Sequence, residues 1–190
     1  MGYVLRGVIG RRKWLERLST TQAAARLCTL DDEFALIPLA DDLYDAWGPA
    51  TPALEATFGY LTESLVAWLC EGSRGVSIAF VEAEYFGGAG TQAAVVFSDG
   101  KVGAAIKAPR AIDGALRELG VIAVAPMDEF DTLCLGRHRQ LERWVLWSRE
   151  RRRGTSRAMC ICARAFYAPS TRRGRRAVSG TGRRCRRPRA

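Results

Sequence analysis

The sequence predicts an α+β fold, an antiparallel β-meander packed against a long amphipathic helix and followed by a disordered Arg-rich C-terminal tail. Three observations carry that expectation. Residues 76–107 hold three strand-like runs, two of them joined by "SDGK", and Asp-Gly is the favoured pair for a two-residue hairpin turn. Upstream, Leu54, Phe58, Leu61, Leu65 and Trp68 recur at spacings of four and three, an apolar stripe that must cover a sheet. The charge, finally, is divided: residues 1–144 carry 14 Lys+Arg against 19 Asp+Glu, whereas residues 145–190 carry 15 Arg and only Glu150.

In chain order, "YVLRGVIG" (Tyr3 to Gly10) reads as a first strand with Tyr3, Leu5 and Gly7 on one face and Val4 and Val8 on the other. "RRKWLERLSTTQAAARL" is weakly helical. "EFALIPL" (Glu33 to Leu39) is an apolar run of strand length, with Pro38 where a strand end or sheet edge tolerates it. "ADDLYDAWG" forms a short helix whose Asp41 and Asp42 sit in the first turn, where the helix dipole favours negative charge. The long helix then runs from Thr51 to Cys70, Thr51 capping it, Pro52 in its first position and Gly72 beyond its end.

The meander follows. "VSIAFVEAEYF" alternates Val76, Ile78, Phe80 and Glu82 on one side with Ser77, Ala79, Val81 and Ala83 on the other. "TQAAVVFSDGKVGAAIKA" supplies the remaining strands. After them, "PRAIDGALRELGV" is a helix with Ile112, Leu116 and Leu119 on one side, ended at Gly120. "VIAVAP" is expected as a short buried strand, and "MDEFDTLCLGRHRQLERW" as a helix or turn pair that closes the body at Trp144.

The domain expectation is one globular unit over 1–144 and a disordered basic tail over 145–190. The body has a net charge of −5 and the tail +14, giving the chain its +9. No window approaches the ~18 consecutive apolar residues of a membrane span. Arg6, Arg11, Arg12 and Lys13 interrupt the N-terminal apolar runs, which fits no signal peptide. A cytoplasmic protein without membrane contact is expected. All basic residues of the tail are arginine, and from Arg149 onward there is no Leu, Asp, Asn, Lys, Gln or His. Reading a GC-rich gene out of frame produces that bias, because a C–G codon junction becomes CGN. The tail therefore reads as frame-shifted or non-native sequence. The competing reading is a genuine basic arm that contacts nucleic acid phosphates.

The candidate site is the corner "VEAEYFGGAGTQ". Glu82 and Glu84 lie two apart on a strand and so share a face, roughly 7 Å apart at the backbone. That spacing suits paired-carboxylate hydrolysis or a divalent metal, but no third acidic ligand or histidine lies in the motif. Gly87, Gly88 and Gly90 allow a bulge or a close backbone approach. They do not make a phosphate loop, since "GGAGTQ" runs into β-prone "AAVVF" and lacks Gly-Lys-Ser/Thr. Glu82, Glu84, Tyr85, Phe86, Gly87, Gly88 and Gln92 are therefore read as a partner-binding surface of charged groups beside aromatics. Cys134 and His138 have the spacing of a helical metal pair, yet Cys160 and Cys162 do not complete a zinc set. Cys28, Cys70 and Cys134 adjoin no base. The sequence implies no cofactor and no resident metal.

"ALIPLADDLYDAW", "VEAEYFGGAGTQAAVVFSDGKV" and "FDTLCLGRHR" together resemble a group of small bacterial proteins, some of them similar to the immunity proteins that neutralise polymorphic toxins. The resemblance spans Tyr3 to Trp144, is most specific in "EAEYFGG", and brings no catalytic residues. It implies a chain that ends soon after the "GRHR" segment, so the Arg tail is a departure. The resulting expectation is a non-catalytic protein-binding module whose partner is a toxin domain. The alternatives are a nucleic-acid-binding protein acting through the tail and a hydrolase using Glu82 and Glu84.

Overall fold

The computed structural model describes residues 2–47, 51–87 and 89–152, with side chains as far as Ser148. Seven strands form one sheet: β1 (Tyr3–Arg11), β2 (Cys28–Thr29), β3 (Phe34–Pro38), β4 (Ser77–Phe86), β5 (Ala89–Ser98), β6 (Lys101–Val102) and β7 (Ile106–Lys107). Their order is β2-β3-β1-β4-β5-β6, with β7 beside β6 on the outer edge of β5, and every pairing is antiparallel. β1 is thus central, hydrogen-bonded to β3 on one side and β4 on the other, and Leu5, Val8 and Ile9 are buried accordingly. Pro38 closes β3, where its missing N–H costs the ladder little.

Helices cover both faces of this sheet. On one lie α1 (Arg12–Thr20), α2 (Asp41–Asp45) and α3 (Glu63–Gly72), whose Leu15, Leu18, Leu43, Leu65 and Leu69 pack with Val8, Ile37, Ile78, Phe80 and Phe97. On the other lie α4 (Ala111–Glu118), α5 (Glu129–Thr132) and α6 (Leu141–Arg152), whose Ile112, Leu116, Trp144 and Trp147 pack with Leu5, Ile9, Val81 and Val96. The alternation expected along β4 holds: Ile78 and Phe80 face the first layer, Ala79 and Val81 the second. The "SDGK" corner is the expected tight turn, with Asp99 and Gly100 at φ 50° and 76° between β5 and β6.

Four expectations are corrected. The helix predicted over Thr51 to Cys70 forms only from Glu63, with Thr62 rather than Thr51 as its cap; the Thr62 hydroxyl accepts the Leu65 N–H at 3.2 Å. Residues 51–62 instead fold back on themselves, Pro52 bridging to Thr62 and Leu54 taking a positive φ. Phe58 and Leu61 are buried all the same, but Leu54, the first residue of the stripe, is 43% exposed, so over 51–62 the stripe reported burial in part and helicity wrongly. Gly59, which costs a helix interior about 1 kcal/mol, marks the place where the helix fails.

Second, "VIAVAP" pairs with no strand. Val121 alone of its apolar residues is buried, while Ile122 is 83% exposed and the Val124 N–H donates to the Thr132 hydroxyl. Third, the body does not close at Trp144, because α6 continues to Arg152 and buries Trp147 and Ser148. The tail expected to be disordered from residue 145 is therefore helical through Arg152, and the rest of it lies outside the described residues. Fourth, Cys134 and His138 share no helix: Cys134 has a left-handed backbone, a 3-10 turn follows, and His138 is extended with its ring edge-on to Trp144.

Candidate functional site

The β4–β5 hairpin carries the candidate residues, and its register decides which of them meet. Ten residue pairs run without a break from Ser77↔Ser98 to Phe86↔Ala89. The glycine corner is thus a tight hairpin turn rather than a bulged loop. Gly87 takes a φ of 61°, which side chains rarely adopt; Gly88 lies outside the described residues. Gly90 serves another purpose. A Cβ there would stand 2.3 Å from the Tyr85 ring, so the missing side chain makes room for that ring to lie across the partner strand.

The alternation of β4 divides the expected surface between the two faces. Glu82, Glu84 and Phe86 point to the α1–α3 side by the two-residue period, and Tyr85 points to the other. Tyr85 packs near Tyr3, ring centroids 6.4 Å apart, and the Tyr3 hydroxyl donates to the Leu135 carbonyl at 3.0 Å. Gln92 is on the Tyr85 side as well, its side-chain oxygen accepting the Ile112 N–H at the start of α4. The seven residues thus form no single patch. Phe86 is 77% exposed at the hairpin end, while Tyr85 and Gln92 line, with Gly90, a concavity of about 490 Å³, and Glu82 and Glu84 line one of about 190 Å³.

Glu82 is an anchor. Its Oε1 accepts the Tyr60 N–H at 2.8 Å and its Oε2 the Gly59 N–H at 2.9 Å, fastening the 51–62 segment to the sheet. Burial raises the carboxyl above the ordinary glutamate range, against the opposing pull of these two amides and of the Arg6 and Lys107 charges. Arg6, opposite Glu82 on β1, lays its guanidinium over the Tyr60 ring at 3.3 Å from the centroid. Glu84 is exposed and makes no ion pair among the described residues.

Sequence reading missed Arg6, Tyr60 and Lys107 here. Arg6 was legible as the polar residue beside Leu5 on the opposite face of β1, but its meeting with Glu82 depends on register, which a single strand does not reveal. Among the described residues no group of three or more His, Cys, Asp or Glu is placed to hold a metal ion, and no helix is long and apolar enough to cross a membrane. No protein-family model, curated protein or solved structure matches the chain.

Proposed function

We propose that the protein is a non-catalytic binding module of the immunity type, whose partner is a protein, a toxin domain, held at the end of the β4–β5 hairpin. The observation that carries this reading is Phe86, an aromatic side chain left 77% exposed on a rigid hairpin beside the exposed carboxylate of Glu84. Exposed aromatics on fixed backbones are the residues from which recognition surfaces draw most of their energy. The engagement of both Glu82 oxygens by backbone amides supports a structural role for that residue over a hydrolytic one. The net −5 of residues 1–144 supports attraction to a basic partner.

The test is co-expression with the products of neighbouring genes. A neighbour that arrests growth alone, is silenced by this chain, co-purifies with it and is released by Phe86→Ser with Glu84→Ala supports the reading. Silencing that survives both substitutions places the contact elsewhere.

A further inference from the structure

One row of side chains crosses the sheet beneath the Gly59–Tyr60 turn. Arg6 of β1 stands opposite Glu82 of β4, Glu82 opposite Ala93 of β5, and Ala93 opposite Lys107 of β7. The methyl group of Ala93 leaves the row low between Glu82 and Lys107, and the turn forms the wall above it, so about 190 Å³ is left open. Glu84, one step along β4, lines the same concavity. Four charged side chains from three strands thus converge on a small volume. None of the four has an ion-pair partner among the described residues.

Their formal charges cancel, which selects the ligand. A dianion such as phosphate would meet the Glu82 and Glu84 carboxylates, and a simple cation would meet Arg6 and Lys107. Glu82 is occupied by the Gly59 and Tyr60 amides and one face of the Arg6 guanidinium by the Tyr60 ring, so the groups left to meet a ligand are the N–H edge of Arg6, Lys107 and the Glu84 carboxylate. The volume falls below the ~300–1,000 Å³ of ordinary drug-sized pockets, so only a few heavy atoms fit. We propose that this concavity binds a small zwitterion of the α-amino-acid type, its carboxylate between Arg6 and Lys107 and its ammonium against Glu84. This site goes beyond the protein-binding reading and does not depend on it: the two share Glu84, but Arg6 and Lys107 line the concavity while Phe86 does not, so Lys107→Gln tests this site and Phe86→Ser the other.

A two-dimensional NMR titration of the full chain tests it, following the Gly59, Tyr60 and Thr91 amides with glycine, L-alanine, acetate, methylamine and inorganic phosphate. Saturable shifts are expected with glycine or alanine, and acetate and methylamine, each lacking one charge, should bind at least about tenfold more weakly. Lys107→Gln and Glu84→Gln, both at exposed positions, should each weaken the amino acid by about tenfold. Lys101→Gln on β6, outside the concavity, should leave it unchanged. The proposal is overturned if neither amino acid shifts these amides saturably, if acetate or phosphate binds as tightly, or if Lys107→Gln has no effect.

Discussion

Replacing Glu82 with alanine takes the acceptor from two backbone amides at once. A hydrogen bond to a charged group contributes ~1.5–3 kcal/mol, which sets ~3–6 kcal/mol as the ceiling for the pair. Two effects reduce it: the burial that raises the Glu82 carboxyl is itself a cost relieved by the substitution, and the Gly59 amide lies where water can replace the lost acceptor. The net loss should be roughly 1–2 kcal/mol. Urea denaturation followed by tryptophan fluorescence measures it, with Glu84→Ala as the exposed control expected within about 0.5 kcal/mol of the parent. Hydrogen exchange should also quicken at Gly59 and Tyr60 before the rest of the sheet opens. If Glu82→Ala matches Glu84→Ala, the carboxylate does not hold the 51–62 segment and the anchor argument is wrong.

Four further outcomes follow from the same geometry. Because the folded carboxyl of Glu82 lies above its ordinary 4.5, the folded state binds the extra proton in that window. The parent should therefore lose stability relative to Glu82→Gln as pH rises from below 4.5 through the raised value, and a constant difference across parallel urea titrations would contradict this. Thr62→Ala should cost about 1 kcal/mol through the lost cap of α3, read by the urea midpoint. Gly72→Ala should cost roughly 1–3 kcal/mol, since its Cβ would stand 2.5 Å from a Leu18 methyl where α1 meets α3. Trp147→Ala should cost roughly 3–5 kcal/mol by thermal unfolding, a loss that no solvated residue would produce.

That last substitution bears on how the C-terminal charge is read. Composition alone put the end of the body at Trp144, where arginine begins to dominate. Packing puts it later, because Trp144 and Trp147, three apart on α6, bury their rings 5.9 Å from each other where α6 meets β1, β2 and β3. The spacing of three in "WVLW" is an apolar helical pattern, and the arginines that follow it hide that pattern in a count of charge. Ser148, one residue further on, is buried as well.

Elsewhere, what could be read was what depends on local pattern. The alternation along Val76 to Phe86, the Asp99-Gly100 turn and the stop of α4 before Gly120, at φ 86°, are set by residues within a few positions of each other. The helix predicted from Thr51 failed because its competitor was distant in sequence: Glu82 claims the amides of Gly59 and Tyr60, which a helix would have needed for its own ladder. The candidate surface was legible residue by residue but not as a site. Period-two alternation itself separates Tyr85 from Glu82, Glu84 and Phe86, and the groups that join the two glutamates, Arg6 and Lys107, arrive through register on other strands.

The central proposal, that the hairpin end is a protein-recognition surface, is tested most directly by one affinity. The toxic neighbour would be purified and its binding to the parent chain compared with binding to Phe86→Ser by isothermal titration, with both chains matched for urea midpoint. A truncated aromatic hot spot costs ≥ ~2 kcal/mol, so the account predicts a loss of more than about tenfold with the fold intact. Equal affinity for the two chains would contradict it.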